Sequence, residues 1–241
     1  MQKSASNSRR LINAYNQIDK ALRAQYSYNR KISFTDVIRR TMKFNAIVKK
    51  HGEKLISYGR LRNAIVHQNN VEVAIAEPND KVVKEMEAIA DLISTPPRAL
   101  DTIARKNILC VKDTVSVQET IKTMSDSGYT NIPIYNEGVL VGVANGQRII
   151  DKMGEKIANN ENIDSFLKNT KISQIESKKS LDHHFSLVDE NITLDKAMEM
   201  FYDNRKLFIL IITKTGNYLE EPLGLITAAD IIDINDILDN Y

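Results

Sequence analysis

Apolar side chains at Leu11, Ile12, Tyr15, Ile18, Ala21 and Leu22 recur at the spacing of one helical face and predict a helix from Ser8 to about Gln25. Ser33, with Asp36 three residues on, has the spacing of an N-terminal cap in which hydroxyl and carboxylate satisfy free backbone donors. The helix it opens carries Phe34, Val37, Ile38 and Met42, then Ile47 and Val48, as its buried stripe. Gly52 is expected to interrupt it, with a third helix running from about Glu53 to Val66. Asn79 and Asp80 start a fourth, which places Val82, Val83, Met86, Ile89, Ala90 and Ile93 on one side. Ser94-Thr95-Pro96-Pro97 ends it, because paired prolines cannot continue a helix. An all-helical domain over residues 1–97 is the expectation.

Beyond Pro97 the pattern changes to short strands alternating with helices, and it does so twice. The first copy has Ile108-Leu109-Cys110-Val111, a helix from Ser116 to Ser127, then Asn131 to Tyr135, Val139 to Val143 and a helix from about Asn145 to Met153. The second has Phe185 to Val188, a helix from Thr193 to Asp203, Leu207 to Thr213, Leu223 to Ile226 and a helix from about Ala228. The order strand, helix, strand, strand, helix is an imperfect two-fold repeat. It divides the rest of the chain into a first copy at 98–155, a polar linker at 156–180 with one helical turn near Ile163 to Phe166, and a second copy at 181–241. The fold class expected is α+β and multidomain, an all-α bundle followed by a pseudo-two-fold pair.

The most specific run is Leu223-Gly224-Leu225-Ile226-Thr227-Ala228-Ala229-Asp230-Ile231-Ile232. Thr227 falls where a strand hands over to a helix, whose free N–H groups suit an anion. Asp230, three residues on, is a charged acceptor able to take two hydroxyl donors. The same two residues also suit a plain helix cap and a first-turn acid facing the helix dipole. The run, together with the repeat over about residues 102–238, resembles the CBS domain family, which pairs such domains into Bateman modules. The resemblance implies a sensor of adenine nucleotides (AMP, ADP or ATP), with Asp230 on the ribose hydroxyls and Thr227 on the first phosphate.

The first copy departs from that pattern. Asn145 and Arg148 stand where the threonine and aspartate would be. Arginine only donates hydrogen bonds, so Arg148 suits a phosphate or an internal salt bridge, not a ribose hydroxyl. In the second copy Leu207-Phe208-Ile209 replaces the apolar-Pro-apolar strand seen at Ile132-Pro133-Ile134. Phe208 is placed to stack on a base or to fill the core, and Arg205 and Lys206 to reach phosphate or to flank a strand end. His183 and His184, just ahead, read as surface imidazoles.

Charge adds a second theme. Residues 1–67 carry 15 Lys and Arg against 3 Asp and Glu, although the whole chain has a net charge of only +2. Such a segment suits phosphate-bearing partners, RNA among them, or an acidic protein face. Within it stands Arg62-Asn63-Ala64-Ile65-Val66-His67, which resembles the active-site motif of HEPN-domain ribonucleases, a family of small helical bundles that are commonly dimeric. Histidine exchanges protons near neutral pH and arginine stabilises charge on a phosphorus centre, so the chemistry needs no metal. Asn63 and His67 are i,i+4 neighbours, whereas Arg62 lies roughly 140° from His67 around an ideal helix. A homodimer that apposes Arg62 of one protomer and His67 of the other would repair that geometry.

Cys110 is the only cysteine, so no disulfide framework or multi-cysteine metal site is expected, and the reducing cytoplasm is the expected compartment. No apolar run is long enough to span a bilayer, and no membrane association is expected. These features leave two functions open: a nucleotide sensor controlling a metal-independent endoribonuclease built on Arg62, Asn63 and His67, and a non-enzymatic regulator whose helical part dimerises or binds RNA or protein.

Overall fold

A computed structural model describes residues 6–66, 77–175 and 184–240. The chain forms two compact units. The first holds the N-terminal helices together with Thr193–Glu199 and the chain from Ile234 on; the second comprises Arg98–Ile192 and Met200–Asp233.

Helices α1 (Asn7–Gln25), α2 (Phe34–Thr41), α3 (Ala46–Val66) and α4 (Asp80–Ser94) build the N-terminal region. Leu11, Ile18 and Leu22 of α1 and Val83 and Met86 of α4 are fully buried. Arg10 clamps the ends of α1 and α4 together, donating to Glu87 through Nε (2.9 Å) and Nη2 (2.6 Å) and to Asp80 through Nη1 (2.9 Å). Ser33 caps α2 as expected, its hydroxyl accepting from the Asp36 N–H at 3.1 Å, and Asn79 caps α4 through the Lys81 N–H at 2.9 Å.

The break between the second and third helices does not fall at Gly52. It falls at 42–45, because the buried Asn45 accepts from the Val48 N–H at 2.9 Å and so starts a new helix there. Helix α3 runs straight through Gly52, where a Cβ would lie 2.5 Å from the Met42 sulfur. The glycine is there to let Met42 pack against the helix backbone, not to end the helix.

The second unit carries two three-stranded sheets with the same strand order. In the first, β1 (Val111–Lys112) pairs in parallel with β2 (Asn131–Asn136), which pairs antiparallel with β3 (Val139–Asn145). In the second, β4 (Phe185–Val188), β5 (Ile209–Ile212) and β6 (Gly224–Thr227) repeat that arrangement. Pro133 is tolerated in β2 because the two-residue β1 pairs only at Ile134 and Tyr135, which leaves β2 a single neighbour at the proline. Helix α5 (Val117–Ser127) crosses from β1 to β2, opened by a Ser116/Glu119 capping box and closed by Gly128 in the left-handed region at φ 73°. Helix α6 (Gly146–Ala158) follows β3. In the second copy α9 (Leu194–Asp203) crosses from β4 to β5, and a 3₁₀ turn at Ala228–Asp230 leads from β6 into α10 (Ile231–Asn240).

The stretch after α6 holds more structure than the single turn read from its sequence. Helices α7 (Ile163–Asn169) and α8 (Ile172–Ile175) occupy it, and Ile172 and Ile175 are buried with Val117, Ile132 and Ile149 in the core of the first copy. Its polar composition conceals a few well-placed apolar residues. A second core joins the two sheets, with Leu140 and Val143 of one packed with Phe185, Ile209, Ile211 and Leu225 of the other.

Ile172 is therefore expected to behave as a core residue. Ile172→Ala should lower stability by roughly 2–5 kcal/mol, where a solvated linker position would move by less than about 0.5 kcal/mol. Urea denaturation followed by circular dichroism measures the difference, and a wild-type transition would show that α8 contributes nothing to the fold.

Candidate functional site

Strand β6 ends at Thr227, held in register by Ile209 opposite it on β5. The backbone N–H of Thr227 donates to Asp230 Oδ2 at 2.7 Å, and its hydroxyl donates to the same oxygen at 2.8 Å. Asp230 thus folds back onto the turn that carries it and is 6% exposed. A buried carboxylate needs a counter-charge, and Arg105 supplies one, its Nη2 lying 3.0 Å from Asp230 Oδ1. Arg105 precedes the first strand of the first copy, β1, and its backbone is fixed to β6 by two hydrogen bonds with Leu225, at 3.0 and 3.1 Å. Its guanidinium also lies over the Tyr129 ring, 5.4 Å from the centroid.

A cavity of about 280 Å³ opens beside these groups. Arg105, Tyr129, Asn131, Phe208, Thr227 and Ala229 are among the residues that line it. One face of Phe208 is covered by His184, with the rings parallel to within 5° and 5.2 Å between centroids. His184 is held in turn by a 3.0 Å contact from Nδ1 to the Lys206 carbonyl. A flat apolar ring, two strand ends, a helix start and a cation therefore converge on one space. Such a set can take a planar ring at one end and a polyhydroxylated or anionic group at the other.

Thr227 and Phe208 line the cavity; Asp230 is not among the lining residues and reaches it through its contacts with Thr227 and Arg105, which are. Arg205 and Lys206 are exposed and lie outside the cavity wall. Asn145 caps α6 by accepting from the Arg148 N–H at 3.0 Å and donates at 2.7 Å to Asn131, so it reaches the cavity only through that lining residue. Arg148 is half-buried on the first turn of α6 and is not among the lining residues. Sequence reasoning missed Arg105, Tyr129 and Asn131. The repeat held a signal for the last of these, since Asn131 pairs with Asn145 as Ile209 pairs with Thr227. Nothing local marks Arg105.

In the helical region Arg62 and Asn63 stand in the last two turns of α3, and His67 lies outside the described residues, as does His183. Arg62 turns onto α1, its guanidinium 4.9 Å from the centroid of the Tyr15 ring, and Nη1 donates to Asn63 Oδ1 at 3.3 Å. Its Nε is buried with no hydrogen-bond partner among the described residues. Burial is the main cause that raises the Tyr15 hydroxyl, and the Arg62 cation works against it. Among the described residues no three His, Cys, Asp or Glu side chains cluster as metal ligands, and no helix is long and apolar enough to cross a membrane.

Residues 100–155 match the family model described as CBS domain. The second copy repeats the strand order of the first, so the chain is a helical region followed by two CBS-type sheet-and-helix copies. No curated protein matches the chain. Among solved structures it is similar to the CBS domain of the bacterial CNNM/CorC family Mg2+ transporter in complex with ATP, at 19% identity over 63% of this chain and 96% of that one, with a TM-score of 0.45. A second is the CBS domain pair of protein MJ0100 with 5-methylthioadenosine and S-adenosyl-L-methionine, at 18% identity over 58% and 97%, TM-score 0.44. A third is CBSX2 in complex with AMP, at 14% identity over 59% and 98%, TM-score 0.45.

Cys110 follows the cavity residue Leu109, and burial pushes its thiol up to about 11. A raised thiol holds less thiolate at neutral pH, so iodoacetamide should alkylate Cys110 more than about tenfold more slowly than free cysteine at pH 7.5. The rate should climb as pH approaches 11. Alkylation as fast as free cysteine would mean that this wall of the cavity opens in solution.

Proposed function

We propose that the paired CBS-type unit is a regulatory sensor that binds an adenine nucleotide (AMP, ADP or ATP) in the cavity beside Thr227 and Asp230. The observation that carries this reading is a buried carboxylate at a strand-to-helix junction, bonded to Thr227 and Arg105, which line a cavity together with the ring of Phe208. Asp230 would accept the ribose hydroxyls, Thr227 and the start of α10 would face the first phosphate, and the open face of Phe208 would stack on the base. Arg205 and Lys206, and Asn145 with Arg148 in the first copy, would contribute only to the outlying phosphates of a longer ligand. The domain division that goes with this reading is 1–97, 98–155, 156–180 and 181–241, within a cytoplasmic homodimer. The single cysteine favours that compartment.

ATP, AMP and S-adenosyl-L-methionine, the ligands of the similar solved structures, are the first to titrate. Asp230→Ala should weaken binding of an adenosine ligand by about 3 kcal/mol, the worth of a pair of charge-assisted hydrogen bonds. Calorimetry that finds the affinity unchanged would leave Asp230 as no more than the ion-pair partner of Arg105.

A second reading concerns the helical region, as a HEPN-like, metal-independent endoribonuclease under the control of that sensor. It is favoured by the basic composition of residues 1–67 and by the buried Nε of Arg62, which lies beside Asn63 and has no hydrogen-bond partner among the described residues. Arg62, Asn63 and His67 would act on RNA, with arginine and histidine drawn from apposed protomers. The non-enzymatic alternative keeps the sensor and gives the helices only dimerisation or partner binding. Mixed RNA incubated with purified protein and EDTA should be cut to 2′,3′-cyclic phosphate ends, and His67→Ala should reduce the rate by at least about a hundredfold. A folded His67→Ala protein that cleaves at the wild-type rate, or a wild type that does not cleave, would leave the non-enzymatic regulator.

A further inference from the structure

We infer that Arg105 makes this site select phosphorylated ligands over bare nucleosides, an inference that rests on Asp230 being the ribose acceptor. Both carboxylate oxygens of Asp230 are already engaged, Oδ2 by the N–H and hydroxyl of Thr227 and Oδ1 by Arg105. A ribose diol that donates to both oxygens must therefore share or take over Oδ1. The contact with Thr227 is built into the turn and stays. The contact with Arg105 is the one that yields.

The two partners differ in their freedom to move. Asp230 has 8% of its side chain exposed, whereas Arg105 has 41% and stands at the cavity wall. The Arg105 backbone is fixed by its two hydrogen bonds to Leu225, two residues before Thr227. Only the side chain can swing, and it swings from a point next to the expected phosphate position. Tyr129 offers the guanidinium a flat surface to rest on when it leaves the carboxylate.

The exchange has opposite consequences for two kinds of ligand. A nucleoside supplies hydroxyls to Asp230 but nothing to Arg105, so a charged pair is lost without replacement. A nucleotide supplies the hydroxyls and also a phosphate, which a guanidinium binds with two parallel hydrogen bonds. Arg105 therefore acts as an occupant of the ribose subsite that a nucleoside displaces at a loss and a nucleotide re-engages. Discrimination arises from the same ion pair that fills the empty site.

Adenosine and AMP titrated into the full chain, wild type and Arg105→Met, test this. The wild type should prefer AMP, and Arg105→Met should lose at least about tenfold in AMP affinity while binding adenosine as well as wild type or better. The AMP-to-adenosine ratio then collapses. Arg105→Lys, which keeps a cation but not the fork, should give an intermediate ratio and carries the test if Arg105→Met does not fold. A wild-type ratio in the folded Met variant, or in the Lys variant if the Met variant does not fold, would overturn the inference while leaving the nucleotide site standing. A wild type that binds neither ligand, or an Asp230→Ala protein that binds both as well as wild type, would remove the site reading and this inference with it.

Discussion

The ion pair between Asp230 and Arg105 links the turn after β6 to the segment that precedes β1. A carboxylate this deeply buried is tolerated only when donors meet both oxygens, because removing its hydration without replacement costs several kcal/mol. One oxygen is satisfied locally, which fixes the sharp exit from β6 at Thr227 and the short 3₁₀ turn before α10. The other is met by Arg105, from the segment before β1 that pairs with Leu225. Covering that one charge therefore keeps the cation and the turn into α10 side by side at the cavity.

The paired copies depend equally on the core that they share. Leu140 and Val143 of β3 pack with Ile209, Ile211 and Leu225, so each sheet completes the hydrophobic surface of the other. A short sheet must bury its apolar face against another layer. The first sheet packs helices through Val117, Ile149 and Ile172, and the other sheet through Leu140 and Val143. The same packing sets the wall of the cavity, since Ile209 and Leu225 belong to both.

Features governed by neighbours in the chain were legible in the sequence. The apolar stripes of α1 and α4, the helix starts at Ser33 and Asn79, and the strand–helix–strand–strand order all follow from periods and offsets of a few residues. Thr227 with Asp230 belongs to this group, being a contact over three residues. What escaped was decided by distant partners or by competition between local signals. Gly52 reads as a breaker until Met42 is seen lying against it, and Asn45 starts a helix only because its side chain turns back onto Val48. Ile172 and Ile175 are too few to give a period, yet they fill a core. Arg105 carries no local sign of its role, since its partner is 125 residues away.

That separation also bears on the order in which the protein can form. Synthesis proceeds from the N-terminus, so Arg105 leaves the ribosome long before the segment that holds Asp230 exists. Its stretch of backbone must wait in an unpaired state, with an arginine rather than an apolar side chain at its end, while β1 to β3 and their helices assemble from contacts nearer in sequence. Bringing residue 105 to residue 225 closes a long loop, the kind of step that slows folding more than it affects final stability. A charged side chain at such a waiting position is the kind that discourages edge-to-edge pairing with other chains.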